Sequence, residues 1–149
     1  MNKADLIVIH CSATKETDNY TVEDLERDHL RRGFSGIGYH VYIRRDGSSH
    51  LCRPLNKKGA HVKGFNAFSW GVCYEGGLDE SGKAKDTRTE HQKQAILRAL
   101  LFMKGVSPSA RIEGHRDCSP DLNGDGIISP GERIKECPCF DAKIEYKDF

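Results

Sequence analysis

The densest concentration of chemistry-bearing residues in the chain is the segment Asp121-Leu122-Asn123-Gly124-Asp125-Gly126-Ile127-Ile128-Ser129-Pro130-Gly131-Glu132. Oxygen-bearing side chains recur along it and a carboxylate closes it, the pattern of a twelve-residue EF-hand calcium loop. Asp121, Asn123 and Asp125 would supply side-chain oxygens, Ile127 its carbonyl, Ser129 a direct or water-mediated contact and Glu132 a bidentate carboxylate. Pro120 before the loop and Pro130-Gly131 inside it fit poorly with the long flanking helices of an EF-hand pair, so a single isolated structural loop is the expectation. Asp and Asn beside Gly also form ordinary turns without an ion. Both readings stand at this point.

Softer ligands are scattered. The cysteines are Cys11, Cys52, Cys73, Cys118, Cys137 and Cys139, and none forms a Cys-x-x-Cys pair of the kind that marks a structural zinc site. His10, His115 and Cys137 are scattered in sequence, and taken singly His10 is more simply a hydrogen-bonded core histidine and Cys137 a buried small hydrophobe. The apolar run Leu6–Ile9 near the N-terminus is far too short for a signal-peptide core or a membrane span. Synthesis in the cytoplasm is therefore expected, with free thiols or metal ligands favoured over a disulfide framework.

The elements that must position these residues alternate between strand and helix. Leu6–Ile9 is a continuous run of large aliphatic side chains, mostly β-branched, as in a central strand covered on both faces, with His10 at its exit. Thr21 with Asp24 resembles a capping box, and Val22, Leu25 and His29 follow at helical spacing up to Gly33. Residues 39–44 and 48–53 flank Asp46-Gly47, which predicts a hairpin with a two-residue type I′ turn. Ser69–Glu75 reads as a further strand stopped by Gly76-Gly77. Thr89 with Gln92 then opens a helix carrying Ile96, Ala99, Leu100 and Met103 on one face, with Gly105 as its stop, and Arg111–Glu113 reads as a last short strand. The prediction is an α/β fold, one domain over residues 1–149, with a central mixed β-sheet flanked by helices and the loop at 121–132 inserted in it.

Composition narrows the partners. Lys and Arg total 23 against 22 Asp and Glu, so no bulk field exists to hold nucleic acid or an anionic membrane. Recognition must be local, and a monomer is expected.

Several motifs in one order carry a resemblance. His10-Cys11-Ser12-Ala13-Thr14, Gly38-Tyr39-His40, Arg45-Asp46-Gly47, Gly59-Ala60-His61-Val62-Lys63-Gly64-Phe65-Asn66, Gly71-Val72 and Lys135-Glu136-Cys137-Pro138-Cys139-Phe140-Asp141 are similar to successive landmarks of the phage-lysozyme-type N-acetylmuramoyl-L-alanine amidases, which also resemble peptidoglycan recognition proteins. The resemblance runs from residue 6 to residue 141. It implies a zinc enzyme that hydrolyses the amide between N-acetylmuramic acid and L-alanine in peptidoglycan, with His10, His115 and Cys137 as ligands and Tyr39 and Lys135 assisting the reaction. Three protein ligands would leave one tetrahedral position for water, as at catalytic zinc sites. Lys135 would stabilise the tetrahedral oxyanion, and Tyr39 would donate a hydrogen bond rather than act as a base. His61 and Asn66 resemble the family's substrate-contacting loop, and Trp70 is either a glycan platform or a core filler.

Within Cys137-Pro138-Cys139 the resemblance favours Cys137, because Cys139 stands where a small polar residue is usual. The EF-hand-like loop is an insertion relative to the family's pattern and lies between His115 and Cys137. Action on the cell wall after release or delivery follows as an expectation. Two rival readings are a non-catalytic peptidoglycan-binding module, disfavoured by retention of Cys137, and an amidase acting on soluble anhydro-muropeptides.

Overall fold

Strand β1 (Leu6–Cys11) is buried along its whole length, as an aliphatic run needing cover on both faces must be. The computed structural model describes residues 3–119, 122, 124 and 136–149. After β1 come β2 (Thr14–Lys15), α1 (Val22–Arg31), β3 (Val41–Ile43), β4 (Ser49–Leu51), β5 (Ser69–Tyr74), β6 (Gly77–Leu78), α2 (Glu90–Val106), β7 (Arg111–Gly114) and α3 (Ala142–Glu145). The main sheet has the order β4-β3-β5-β1-β7. β5 and β7 both run parallel to β1, β3 runs parallel to β5, and only the edge strand β4 is antiparallel. The sheet is mixed, as expected.

Alternation along β1 assigns its side chains to two faces. Ile7, Ile9 and Cys11 join Trp70, Val72 and Tyr74 of β5 and Ile112 of β7 beneath Ala95, Ile96, Leu100 and Met103 of α2 and Ala142 of α3. Leu6 and Val8 pack on Val62, with Phe65 beside them, while Tyr42 and Cys73 on the same side meet Leu25 of α1. By period two, His10 belongs to this second face. The sheet therefore presents it beside the loop that carries Val62.

Both helix starts are read correctly from sequence: Thr21 and Asp24 close one capping box, Thr89 and Gln92 the other. The stop of α2 is not. Gly105 lies inside the last turn, and the helix ends because Pro108 disfavours helical geometry at Ser107, whose φ is −130°. The hairpin turn also differs from the two-residue prediction. Arg44 N–H donates to Ser48 O and Gly47 N–H to Arg44 O, so residues 45–47 make a three-residue loop in which Gly47 alone takes a positive φ (+87°). Asp46 keeps a negative φ while its carboxylate accepts from Ser48 N–H, which removes the type I′ requirement.

Trp70 settles as a core filler rather than a glycan platform. Its indole is wholly buried among β5, β1 and α2 residues, and its Nε1–H donates to Leu55 O at 2.9 Å. Filling such a site with an indole is worth about 3–5 kcal/mol relative to alanine. Near the C-terminus, the buried Arg88 ties the start of α2 to α3 by pairing with Asp86 and Glu145 and stacking 3.3 Å over the Phe140 ring. That clamp fixes the segment leading back from α3 to Cys137.

Candidate active site

His10 emerges near the carboxyl end of β1, and His115 directly follows β7 in a 3-10 turn (His115–Cys118). Ligands in open α/β sheets gather at this end of parallel strands. The third group arrives from the C-terminal segment: Arg116 N–H donates to Cys137 O at 2.8 Å, and Cys11 N–H donates to Cys137 Sγ at 3.1 Å. Gly114 lets this segment approach, since a Cβ there would lie 2.6 Å from Pro138 Cδ. One candidate ligand atom from each of His10, His115 and Cys137 therefore falls within 4.8 Å of the others.

These three residues fit a zinc ion. Tetrahedral zinc holds nitrogen at about 2.0–2.1 Å and sulfur at about 2.3 Å, which sets such donors about 3.5 Å apart. His10 Nδ1 and Cys137 Sγ are 3.9 Å apart, a few tenths of an ångström from that spacing. Cys139 does not share the cluster with His10 and His115; its thiol lies 3.9 Å from Cys11 Sγ and donates to Gly77 O. Sequence left the choice between the two cysteines to resemblance, and here geometry separates them. All six cysteines are free thiols. The Cys11 thiol is pushed well above the usual thiol range by its hydrogen bond to Cys137 and by burial, so it stays protonated beside the cluster.

The cluster opens on a cleft of about 450 Å3 whose walls include Tyr39, His29, Arg32, Phe34, His61 and Lys63. Tyr39 packs its ring 4.9 Å from His10 and 5.4 Å from His29. Desolvation, reinforced by the neighbouring Cys73, Cys137 and Cys11, holds its hydroxyl pKa well above the usual tyrosine value. It is a donor at neutral pH. His29, placed by sequence at helical spacing with Val22 and Leu25, is buried on the inner face of α1, and its Nδ1 accepts from Gly38 N–H at 2.9 Å. Its helical spacing signalled burial, but nothing in sequence signalled the Tyr39 contact. Arg32, an exposed cation on the cleft, carried no motif, and Lys63, exposed beside it, lay within the motif of residues 59–66 without being singled out.

The loop residues expected to meet substrate have other partners. Asn66 Oδ1 accepts from His61 N–H and Val62 N–H, both at 2.9 Å, so the amide staples its own loop. His61 lines the cleft, yet both of its ring nitrogens are engaged: Nδ1 lies 2.8 Å from His10 Nε2 and Nε2 lies 3.2 Å from Ser69 Oγ. In this arrangement the His61 ring has both nitrogens engaged, whereas Asn66 spends only its Oδ1 on the loop and lines the cleft with its amide Nδ2 still to donate. Lys135 lies outside the described residues, as do Asp121, Asn123, Asp125, Ile127, Ser129 and Glu132 of the expected calcium loop.

The mixed sheet with a two-histidine, one-cysteine cluster beside its cleft defines an α/β domain with a candidate metal centre, and comparison with known proteins gives the family. The sequence profile of the N-acetylmuramoyl-L-alanine amidases matches residues 1–138. The endolysin of Klebsiella phage KP32 is 36% identical over 137 residues, 92% of this chain and 82% of that protein. The structure of the N-acetylmuramoyl-L-alanine amidase LysC from Clostridium intestinale superposes with a TM-score of 0.73 at 27% identity, over 96% of this chain and 81% of that one. Drosophila PGRP-LB shares the fold, with a TM-score of 0.73 at 24% identity over 100% of this chain and 82% of that one. The chain belongs to the N-acetylmuramoyl-L-alanine amidase family. Its reaction is hydrolysis of the amide that joins N-acetylmuramic acid to the L-alanine of the peptidoglycan stem, a cell-wall-lytic activity.

Proposed function

We propose that the amidase is zinc-dependent, with His10, His115 and Cys137 holding the ion and the cleft above them receiving the muramyl–alanine junction. The observation that carries this reading is the convergence of one candidate donor atom from each of these three residues within 4.8 Å, with His115 and Cys137 lining the cleft. When bound in such a site, zinc lowers the pKa of a coordinated water towards 7 and polarises the scissile carbonyl. Tyr39, protonated, lining the cleft beside His10 and hydrogen-bonded to the Cys73 side chain, turns its O–H to the carbonyl oxygen as its charge develops. Lys135 brings an ammonium to the same oxyanion, a role resting on its place two residues before Cys137. Arg32 and Lys63 offer two cations to the carboxylates of the stem peptide.

The cleft is completed by one chain, which supports action as a monomer. Among the described residues no helix is long and apolar enough to cross a membrane. The wall is reached after release or delivery, in keeping with the endolysins this chain is similar to. The insertion at 121–132 takes calcium as a structural ion, supported by its match to the EF-hand loop pattern.

The test of the metal assignment compares two neighbouring cysteines. Purified protein should carry about one zinc; Cys137→Ser and His115→Ala should lose most of it together with wall-lytic activity, whereas Cys139→Ser should keep both. Full zinc and full activity in Cys137→Ser would overturn the ligand set.

A further inference from the structure

His61 is held more firmly than any substrate contact requires. Its ring sits against Gly59 and Gly71: a Cβ on the first would come within 2.7 Å of its Cδ2, and on the second within 2.8 Å of its Cγ and Nδ1. Both neighbours must therefore be glycine for the imidazole to keep its place. Gly71 is itself pinned, because its N–H donates to His40 Nδ1 at 3.1 Å, and His40 Nε2 is engaged by Lys57 O. Asn66 fixes the backbone of the same residue through His61 N–H. Ring, backbone and packing surface are thus all constrained, and the ring aims one nitrogen at His10 and the other at Ser69 Oγ.

The direction of these hydrogen bonds decides what His10 can do. In one arrangement Ser69 donates to His61 Nε2, His61 Nδ1–H donates to His10 Nε2, and the His10 proton is forced onto Nδ1, facing Cys137. In the other, His61 Nε2–H donates to Ser69 Oγ, His61 Nδ1 accepts from His10 Nε2–H, and the lone pair of His10 Nδ1 faces Cys137. Only the second leaves a donor lone pair where the three candidate ligand atoms converge. A ligating histidine characteristically gives its other N–H to an oriented acceptor, and removal of that acceptor typically costs about 10- to 100-fold in metal affinity.

We infer that His61 is a positioning residue for the metal site, accepting from His10 Nε2–H and, with Ser69 behind it, fixing His10 as a ligand through Nδ1. The loop of residues 59–69 is then an outer support of the metal centre as well as a wall of the cleft. This inference rests on the zinc reading above, and its test keeps the two apart.

The experiment measures zinc affinity by chelator competition and the visible spectrum of the cobalt(II)-substituted full chain, for wild type, His61→Ala, His61→Asn and Ser69→Ala, with folding followed by circular dichroism. Wild type that binds no zinc would overturn the zinc reading itself. With wild type binding one ion, His61→Ala should bind zinc about 10- to 100-fold more weakly and show an altered cobalt spectrum. His61→Asn should recover most of the affinity, because its Oδ1 stands close to the position of the imidazole Nδ1 and accepts the same hydrogen bond. Ser69→Ala leaves the ring in place and removes the hydroxyl acceptor beside Nε2 while the Ser69 backbone contact remains, and should weaken zinc by a smaller, several-fold factor; it carries the test if His61→Ala does not fold. Unchanged zinc affinity and cobalt spectrum in a folded His61→Ala, or in Ser69→Ala where that variant carries the test, would overturn the inference. A raised KM for peptidoglycan in the same protein would then return His61 to the substrate.

Discussion

Tyr39 and Trp70 show how far residue type can be read before a structure, and where it fails. Tyr39 was legible as a donor because a phenol with an ordinary pKa near 10 is protonated at neutral pH, and burial only pushes the value further up. Tyr39→Phe should keep zinc and fold while kcat/KM falls by about 100-fold, within the range seen when one donor to a developing oxyanion is removed. Steady-state kinetics on purified muropeptides checks this, and wild-type turnover in the variant would assign the tyrosine to packing alone. Trp70 was not legible, because an aromatic near a cleft motif has the same identity whether it faces sugar or core. Only the strand alternation that puts it with Val72 and Tyr74 under α2 decides the matter. His61 is ambiguous for a related reason: its type permits ligand contact, while its neighbours Gly59, Gly71 and Ser69 fix where it points.

At the scale of elements, starts were more legible than stops. Both capping boxes are local side-chain-to-backbone pairs and survive folding unchanged. The end of α2 and the hairpin turn depend instead on Pro108 and on the Asp46 carboxylate, each able to override the glycine that seemed decisive. Helix α1 gives a pH prediction. Desolvation first, and then Arg32 and Arg53, outweigh Asp28 and lower the His29 pKa from 6.5 to about 4. The folded state thus prefers the neutral ring that accepts from Gly38 N–H. Its stabilising contribution is complete above pH 6.5 and is lost as pH falls towards 4, because over that window the unfolded chain binds a proton that the folded chain does not. His29→Asn keeps an acceptor without titrating, so denaturant melts of the two proteins should diverge less in acid than their neutral-pH difference. Identical slopes of stability against pH between 4 and 6.5 would contradict this. The inserted loop gives a second prediction at this scale: with zinc buffered, calcium-free protein should melt several degrees lower than protein in millimolar calcium, and Asp121→Ala with Glu132→Gln should melt at the lower temperature in both. Equal melting temperatures for the wild type would reject the ion.

For the whole molecule, the order of landmarks from His10-Cys11-Ser12 to Cys137-Pro138-Cys139 carried most of the reading, while spacing alone carried almost none. Candidate ligands more than a hundred residues apart, His10 and His115, converge because a parallel pair, β1 and β7, places them at one end of the sheet. The C-terminal segment then returns across Gly114, held from behind by Arg88 on Phe140 and Glu145. None of these contacts has a local sequence signature, which is why the proposed metal site was visible only through resemblance until the fold was known. The measurement that bears most directly on the account is mass spectrometry of peptidoglycan sacculi digested by zinc-loaded and by metal-stripped protein. The zinc-loaded protein should release stem peptides beginning with a free L-alanine amine and leave intact glycan with free lactyl carboxylates, and the stripped protein should release neither until zinc is restored. Cleavage within the glycan or elsewhere in the stem, or undiminished release by protein shown to hold no metal, would contradict it.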